Sequence, residues 1–212
     1  MDIVTGVGVL DKTVLVVDAV AARGPCTLAE LQEATGLPRA TAHRLAAALA
    51  AHGWLRRDGV GRFELGHDLA RLGRLATERF PLAASARPRL EALRDRTGES
   101  VQLFVVEGTH RRCVLSLESA HALRWIVPEG ALLPMEVGSA GRVLAGELGP
   151  NGWVESVEER EPGVASVSAP VRGVGGAVVA AVSVSGPVGR LGRTPGRTLG
   201  PLVVAAAAEI LP

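Results

Sequence analysis

The sequence predicts an α+β protein in two parts: a small helical N-terminal unit closed by a β-hairpin, then a larger antiparallel sheet with flanking helices. Three observations predict it. Apolar residues recur at helical spacing up to Gly53, and the period then switches to two short extended runs around the turn Asp58-Gly59-Val60-Gly61. Beyond the helical run 89–98, strand-like segments follow at 100–108, 111–119, 122–130 and 164–186. The chain has 212 residues, 47% apolar and 21% charged, which suits one or two small globular domains.

The N-terminal elements follow in order. Leu10, Val14, Val17 and Ala21 lie at i, i+4, i+7 and i+11 and predict the buried face of a first helix, ended by Arg23-Gly24-Pro25. Thr27, followed three residues later by Glu30, is a capping-box signature, with Leu28 and Leu31 supplying the apolar face of a second helix. Gly36 suits the left-handed position after that helix, and Pro38 fits the first turn of a third, which ends at Gly53. At about 100° per residue, the third helix turns Ala42, Leu45, Ala46 and Leu49 inward. Ala40, His43, Arg44 and Ala47 face outward, with Arg39 and Thr41 on the flanks near its start. Trp54 to Arg57 and Arg62 to Leu65 then predict a hairpin.

Two helices joined by a short glycine-containing turn form a helix-turn-helix, and the hairpin makes it a winged one. Such helix pairs also occur in proteins that never meet DNA, an exposed His43 is ordinarily just solvated, and Arg44 could pair with Glu33. The wider pattern decides for nucleic acid. From Leu37 to Phe63 there are five arginines and one acid, Asp58, a local charge of +4 in a chain whose net charge is +1. Small residues let a helix approach a surface closely, and arginine and histidine reach phosphates or guanine edges. The residues expected at DNA are Arg39, Ala40, Thr41, His43 and Arg44 of the helix, with Arg57 and Arg62 of the wing.

In the second half, Leu65, Leu69, Leu72 and Ala76 form an apolar stripe on a helix that joins the two parts. The expected division is residues 1–66 as the winged helix-turn-helix, 67–80 as the linker helix and 81–212 as the C-terminal domain. Pro81 and Pro88 bracket the start of the next helix, and an apolar helix at 202–211 closes the chain. Ser166 and Ser168 share one face of a strand, as do Ser183 and Ser185. Small hydroxyls over a sheet can orient a polar ligand, or simply fit tight packing against a helix.

The run from "GVGVLDKTVLVVDAV" through "TGLPRATAHRL" to the arginine-flanked wing and "GRFELG" resembles the DNA-binding domain of IclR-type bacterial transcription regulators. "GSAGRVLAG" at 138–146 and "EREPGVASVSAPVRGVGGAVVAAVSVSGP" at 159–187 resemble that family's effector domain, in the right order. The resemblance implies a homodimer or dimer of dimers on double-stranded operator DNA, with a GAF-like sensor domain that holds a small effector. It also implies that positions matching Ser166, Ser183 and Ser185 line the effector site. Ser139, Ala140 and Gly141 match a loop whose backbone N–H groups hold carboxylates, an arrangement that needs no cationic side chain. The chain departs from the family in one place: "ELGPNGWVESVEEREPG" replaces a longer helical stretch, so part of the usual pocket wall is replaced, with Trp153 or Trp125 expected to fill the space. The family's effectors are small carboxylates and aromatic acids. The texture of 159–173 is similar to actinobacterial members that govern amino-acid metabolism, leucine biosynthesis included, which points to an amino acid or 2-keto acid.

Other classes fit less well. No Ser-His-Asp order with an elbow motif appears, "GVGVL" follows no strand, and "GVGG" sits in a hairpin turn, so neither glycine cluster is a nucleotide fingerprint. His110 lies near Cys113 without a third group, so no enzyme is expected. Cys26 and Cys113 are far apart with no paired ligand spacing, which reads as a reduced, cytoplasmic protein without cofactor or metal. "MDIVTGVGVLDK" has no basic n-region or long apolar stretch, so no leader is expected, and no run of about 18 uncharged apolar residues is flanked as a span should be, so no membrane helix is expected. The alternative is an effector-independent DNA-binding protein, or an interaction module with a degenerate sensor domain. An interaction module would leave the clustered arginines unexplained.

Overall fold

The computed structural model describes residues 7–79 and 81–211. Met1–Gly6, half of the stretch read above for a leader, Phe80 in the expected linker helix, and Pro212 lie outside the described residues. The chain divides into two compact units, Met1–Arg79 and Phe80–Pro212.

The first unit contains α1 (Gly8–Arg23), α2 (Leu28–Thr35), α3 (Arg39–Ala51), β1 (Leu55–Arg57), β2 (Phe63–Leu65) and α4 (His67–Arg79). Its core gathers Val16, Val20, Leu31, Ala42, Ala46, Leu49, Leu55 and Phe63. This corrects the expected face of α1. Val16 and Val20 are buried, whereas Leu10 and Val14 are 51% and 49% exposed, and Ala21 is exposed too. The face in contact is rotated by roughly a quarter turn from the predicted stripe, and Val17 is the one residue near both. Helix α1 is apolar on more than one side, so periodicity alone does not select the side that meets α2 and α3.

The capping box is formed. Thr27 N–H donates to Glu30 Oε2 at 2.7 Å, and Thr27 Oγ1 accepts from Glu30 N–H at 3.3 Å. Two backbone donors at the start of α2 are thereby satisfied. Thr27→Ala is expected to cost about 1 kcal/mol, measurable as a lower denaturant midpoint at unchanged slope, and an unshifted midpoint would show that the box contributes nothing. Gly36 takes φ 65°, a left-handed conformation that strains any residue with a Cβ, and its N–H donates to the Gln32 carbonyl at 2.9 Å. The turn so made redirects the chain into α3. Pro38 stands at the N-cap, one residue before the helix, and its carbonyl accepts from Thr41 and Ala42.

Strands β1 and β2 pair antiparallel, Leu55 opposite Leu65 and Arg57 opposite Phe63. A bridge between Cys26 and Phe63 fastens this hairpin to the start of α2. The apolar stripe predicted along α4 exists, but its own unit does not cover it: Leu65 and Leu72 are 43% and 40% exposed, and Leu69 is half-buried.

The second unit contains α5 (Pro81–Thr97), β3 (Ser100–Glu107), β4 (His110–Leu117), β5 (Leu132–Pro134), α6 (Ser139–Leu144), β6 (Val154–Val157), β7 (Val164–Arg172), β8 (Val178–Pro187), α7 (Val188–Leu191) and α8 (Gly196–Ala208). Its six strands form one antiparallel sheet in the order β5-β4-β3-β8-β7-β6. The larger core packs α5 and α8 on the sheet through Leu90, Leu93, Leu103, Val182, Leu199 and Val203. A smaller cluster of Phe104, Cys113, Val127, Val143 and Ala181 lies under α6. The α+β architecture is the expected one.

Two elements differ from the sequence expectation. Residues 122–130 form no strand. That segment crosses as irregular chain until Gly130, whose N–H donates to the Cys113 carbonyl at 2.7 Å, and the ladder to β4 runs over Leu132–Pro134. The strand-like run carries Pro128 close to its end, and proline cannot donate to a ladder. Pro88 lies inside α5 and does not mark its start.

Candidate DNA-binding face and ligand cavity

Helix α3 separates its residues as its period requires. Ala42 and Ala46 are fully buried, Leu49 is nearly so and Leu45 half-buried, while Arg39, Ala40, His43 and Arg44 are exposed and Thr41 is half-buried. Among the described residues no carboxylate lies within ion-pair distance of Arg39 or Arg44. The acid considered for Arg44, Glu33, is paired with Arg23 at 3.6 Å. The outer side of α3 is therefore polar, basic and built on small residues, with the free N–H groups of the helix start beside Arg39 and Thr41.

The wing is more self-engaged than its composition suggests. The Asp58 carboxylate accepts from the backbone N–H of Val60 and Arg62 at 3.0 and 2.9 Å, and from Arg62 Nε at 2.7 Å. The Arg62 side chain is the main influence holding this carboxyl below its usual range. Arg57 donates to the Gly61 carbonyl at 3.0 Å and lies over the Phe63 ring at 4.3 Å. Arg56 pairs with Glu64 at 2.7 Å. Two of the three wing arginines thus carry carboxylate partners. The local charge of +4 over 37–63 falls to +3 when Glu64 is included. The pairs are exposed and weak, so they orient Arg62 and Arg56 without neutralising them irreversibly.

The second unit places the four strand serines on one face. Ser166 lies opposite Ser185 and Ser168 opposite Ser183 in the β7–β8 ladder, with Gln102 of β3 opposite Ser183. They do not all do the same thing. Ser139 Oγ lies 2.7 Å from both Ser166 Oγ and Ser168 Oγ, which ties α6 to the sheet, and Ser168 is fully buried there. Ser166, Ser183 and Ser185 line a cavity of about 30 Å³, with Ala140 on its α6 side. Ser139 and Gly141 do not line it. At Gly141 a side chain would collide with the Met135 carbonyl and with Arg111, so the glycine serves close packing. The expected carboxylate-binding backbone loop is instead the first turn of α6, and the protein's own Glu159 accepts from Gly138 N–H at 3.2 Å.

The cavity holds residues that the sequence reading passed over. Arg111, 3% exposed, reaches in from β4 over the Phe104 ring. It donates to the Pro134 carbonyl but leaves Nε without a partner. Burial, with the neighbouring charge of Arg160 second, lowers its pKa to about 10, so it stays protonated at neutral pH. Arg160 lies over the Trp125 ring at 5.0 Å and is likewise shifted down, burial first. Trp125 Nε1 and Gln102 Nε2 are also buried donors without acceptors. Every unsatisfied buried side-chain donor among the described residues therefore lines this one cavity. Arg111 lies two residues from Cys113 and shares its face of β4, but a register shift separates that face from the one that carries Leu115 and Leu117, so the strand period alone does not place it. Arg160 carries no local signal.

Of the two tryptophans expected to fill the pocket wall, Trp125 is the one at the cavity. Trp153 packs on the larger core beside α8. The segment that carries Trp125 is tied down at Leu123, whose carbonyl accepts from Arg190 at 2.8 Å. Arg190 in turn grips the buried Glu99 through two bonds of 2.6 and 2.7 Å. The Cys113 thiol is buried, which pushes its pKa up to about 12, and His110 is engaged with Thr109 Oγ1 at 3.0 Å. This pair has no activated nucleophile.

The IclR helix-turn-helix domain matches residues 9–59, and the bacterial transcriptional regulator IclR C-terminal domain matches residues 74–150 and 146–211. The second match breaks where the shortened stretch begins. The chain is 30% identical to the HTH-type transcriptional regulator KipR of Bacillus subtilis over 118 residues, 56% of this chain and 47% of that protein. It is 24% identical to BhcR of Paracoccus denitrificans over 97% of this chain and 86% of that protein. The chain thus spans about half the length of KipR and most of BhcR. An IclR homolog from Microbacterium hydrocarbonoxydans, crystallised with 4-hydroxybenzoate, shares the fold with a TM-score of 0.70 at 23% identity, over 95% of this chain and 97% of that one.

Proposed function

The chain belongs to the IclR family of bacterial transcriptional regulators, and from that premise we propose that it binds operator DNA under the control of a small carboxylate. In this reading residues 1–66 are the DNA-binding domain, 67–80 a linker helix and 81–212 a GAF-like sensor domain. Helix α3 enters the major groove, with Arg44 and His43 at base edges or phosphates and Arg39 and Thr41 at the backbone near the helix start. Ala40 allows the close approach, and Arg57 and Arg62 reach the adjacent groove or phosphates. The observation that carries the reading is the outer side of α3, where Arg39 and Arg44 are exposed and make no ion pair among the described residues, opposite an inner side packed through Ala42, Ala46 and Leu49.

Two apolar faces of the first unit support a homodimer or dimer of dimers, the side of α1 that bears Leu10 and Val14 and the α4 stripe at Leu72, with the exposed Leu75 beside it. Two half-sites on DNA require such a pair. The effector reading places the ligand in the cavity bordered by Ser166, Ser183, Ser185 and Ala140, with Ser139 and Gly141 supporting its wall. The narrower part of the proposal is that the effector is an amino acid or 2-keto acid and that the regulated genes serve amino-acid metabolism, leucine biosynthesis among them. Its support is the sequence texture of 159–173. The related homolog's 4-hydroxybenzoate makes aromatic acids the second class to try.

The test is a gel shift on the DNA upstream of the protein's own coding region, with and without a panel of amino acids, 2-keto acids and aromatic acids. Retarded complexes whose midpoint moves with one class of acid are the expected result. Retardation unmoved by any acid would leave an effector-independent DNA-binding protein. Failure on that DNA and on a selected random pool would favour an interaction module.

A further inference from the structure

We infer that the cavity is built for a small dicarboxylate, with one carboxylate on Arg111 and the second on Arg160. This rests on the reading of the cavity as a carboxylate effector site, and it replaces the amino-acid branch of that reading. The first observation is the charge inventory. Two guanidinium groups border one small cavity, and among the described residues neither makes an ion pair, Glu136 acting on Arg111 and Glu161 on Arg160 only from beyond ion-pair distance. Glu161 also lines the cavity, but it is solvent-exposed and makes no ion pair with Arg160. A buried cation without an ion-pair partner is costly, and a second, half-buried cation beside it adds to that cost. A single carboxylate offsets one of them, and a dicarboxylate offsets both.

The second observation is the pattern of unmet donors. Arg111 Nε, Gln102 Nε2 and Trp125 Nε1 are buried without acceptors. Ser185 Oγ donates to Gln102 Oε1 at 2.8 Å, which orients the amide so that its NH2 remains free. A carboxylate is an acceptor with about four lone-pair positions, so two carboxylates match a site rich in donors. The hydroxyls of Ser166 and Ser183 add donors over the sheet face. An amine-bearing ligand fits poorly, because its ammonium would stand beside two cations.

The third observation is the layout of the walls. Arg111 and Gln102 are fixed on strands β4 and β3. Trp125 and Arg160 are half-buried and lie on irregular segments. At about 30 Å³ the cavity has room for a water molecule or two. A dicarboxylate therefore enters by displacing the Trp125–Arg160 pair outward, with Arg160 then closing on the distal carboxylate. Arg111 anchors the ligand, and Arg160 discriminates for the second charge.

The test is calorimetric titration of the full chain with malonate, succinate and 2-oxoglutarate against acetate, pyruvate, 4-methyl-2-oxopentanoate and leucine. At least one dicarboxylate is expected to bind roughly tenfold or more tightly than every monocarboxylate in the panel. Arg160→Gln is expected to remove that preference and leave monocarboxylate affinity within about twofold, because only the second charge contact is lost. Arg111→Gln is expected to weaken both classes, with circular dichroism confirming that it is folded. Equal or tighter binding of monocarboxylates, a preference that survives Arg160→Gln, or no binding of any dicarboxylate would each overturn the inference. Operator retardation measured on the same preparation separates the two claims. Retardation without dicarboxylate binding sinks the ligand class alone, and loss of retardation sinks the regulator reading whatever the calorimeter shows.

Discussion

Phe63→Ala is expected to destabilise the N-terminal unit by about 3–5 kcal/mol. Phe63 is the largest fully buried side chain of that unit, 1% exposed. It sits in the one core shared by α1, α2, α3 and the hairpin. Its backbone forms both bonds of the bridge to Cys26, at 2.7 and 2.9 Å, and its ring carries Arg57. Truncation leaves a cavity where three helices and the wing converge, and removes the surface on which Arg57 is laid. Hydrogen exchange of the α3 and β1 amides in the full chain would report the loss locally. Phe63→Leu keeps most of the volume and should stay within about 1.5 kcal/mol of the parent. A loss below about 1 kcal/mol for Phe63→Ala would mean that the unit has a different centre.

Arg44→Ala is expected to weaken operator binding by about 1–3 kcal/mol without unfolding the helix. Arg44 is exposed on the side of α3 opposite Ala42, and no ion pair among the described residues holds it. The substitution deletes a cation without opening the core, and alanine is a strong helix former. The salt dependence of binding tells which contact was lost. A phosphate contact lowers the slope of log K against log salt by about 1 and weakens all sequences alike. A base contact relaxes discrimination at one operator position and changes the slope little. Unchanged affinity on both operator and random DNA would remove Arg44 from the interface.

The legibility of the fold depended on how many neighbours a residue needs to define its place. The capping box of Thr27 and Glu30, the left-handed Gly36 and the two sides of α3 rest on contacts within one helix or turn, so spacing alone revealed them. The serines of β7 and β8 were placed on a common face for the same reason, because a strand has period two. The buried side of α1 differs from its predicted stripe, since that helix offers apolar residues on two sides and its partners choose between them. The strand expected at 122–130 failed because pairing depends on a neighbour, and the ladder to β4 begins only at Leu132.

The candidate cavity divides in the same way. Ser166, Ser183, Ser185 and Ala140 were reached from the sequence, through strand period and family resemblance, and they do border one space. Arg111, Arg160, Gln102 and Trp125 come from four separate segments. No local pattern announces that their charges and unmet donors meet. Arg62 belongs to the set expected at DNA, and the closed hairpin pairs it with Asp58.

By itself the sequence determined the α+β class, the capped helix pair, the outward set Arg39, Ala40, His43 and Arg44, and the family, because each is carried by periodicity or by a contiguous motif. Only the tertiary structure decided which side of α1 is buried, which wing arginines are already paired, and that one buried and one half-buried guanidinium border the serine-lined cavity. The physical reason is range. Helix and strand periods act over a few residues, whereas burial and the meeting of charges are settled by segments far apart in the chain.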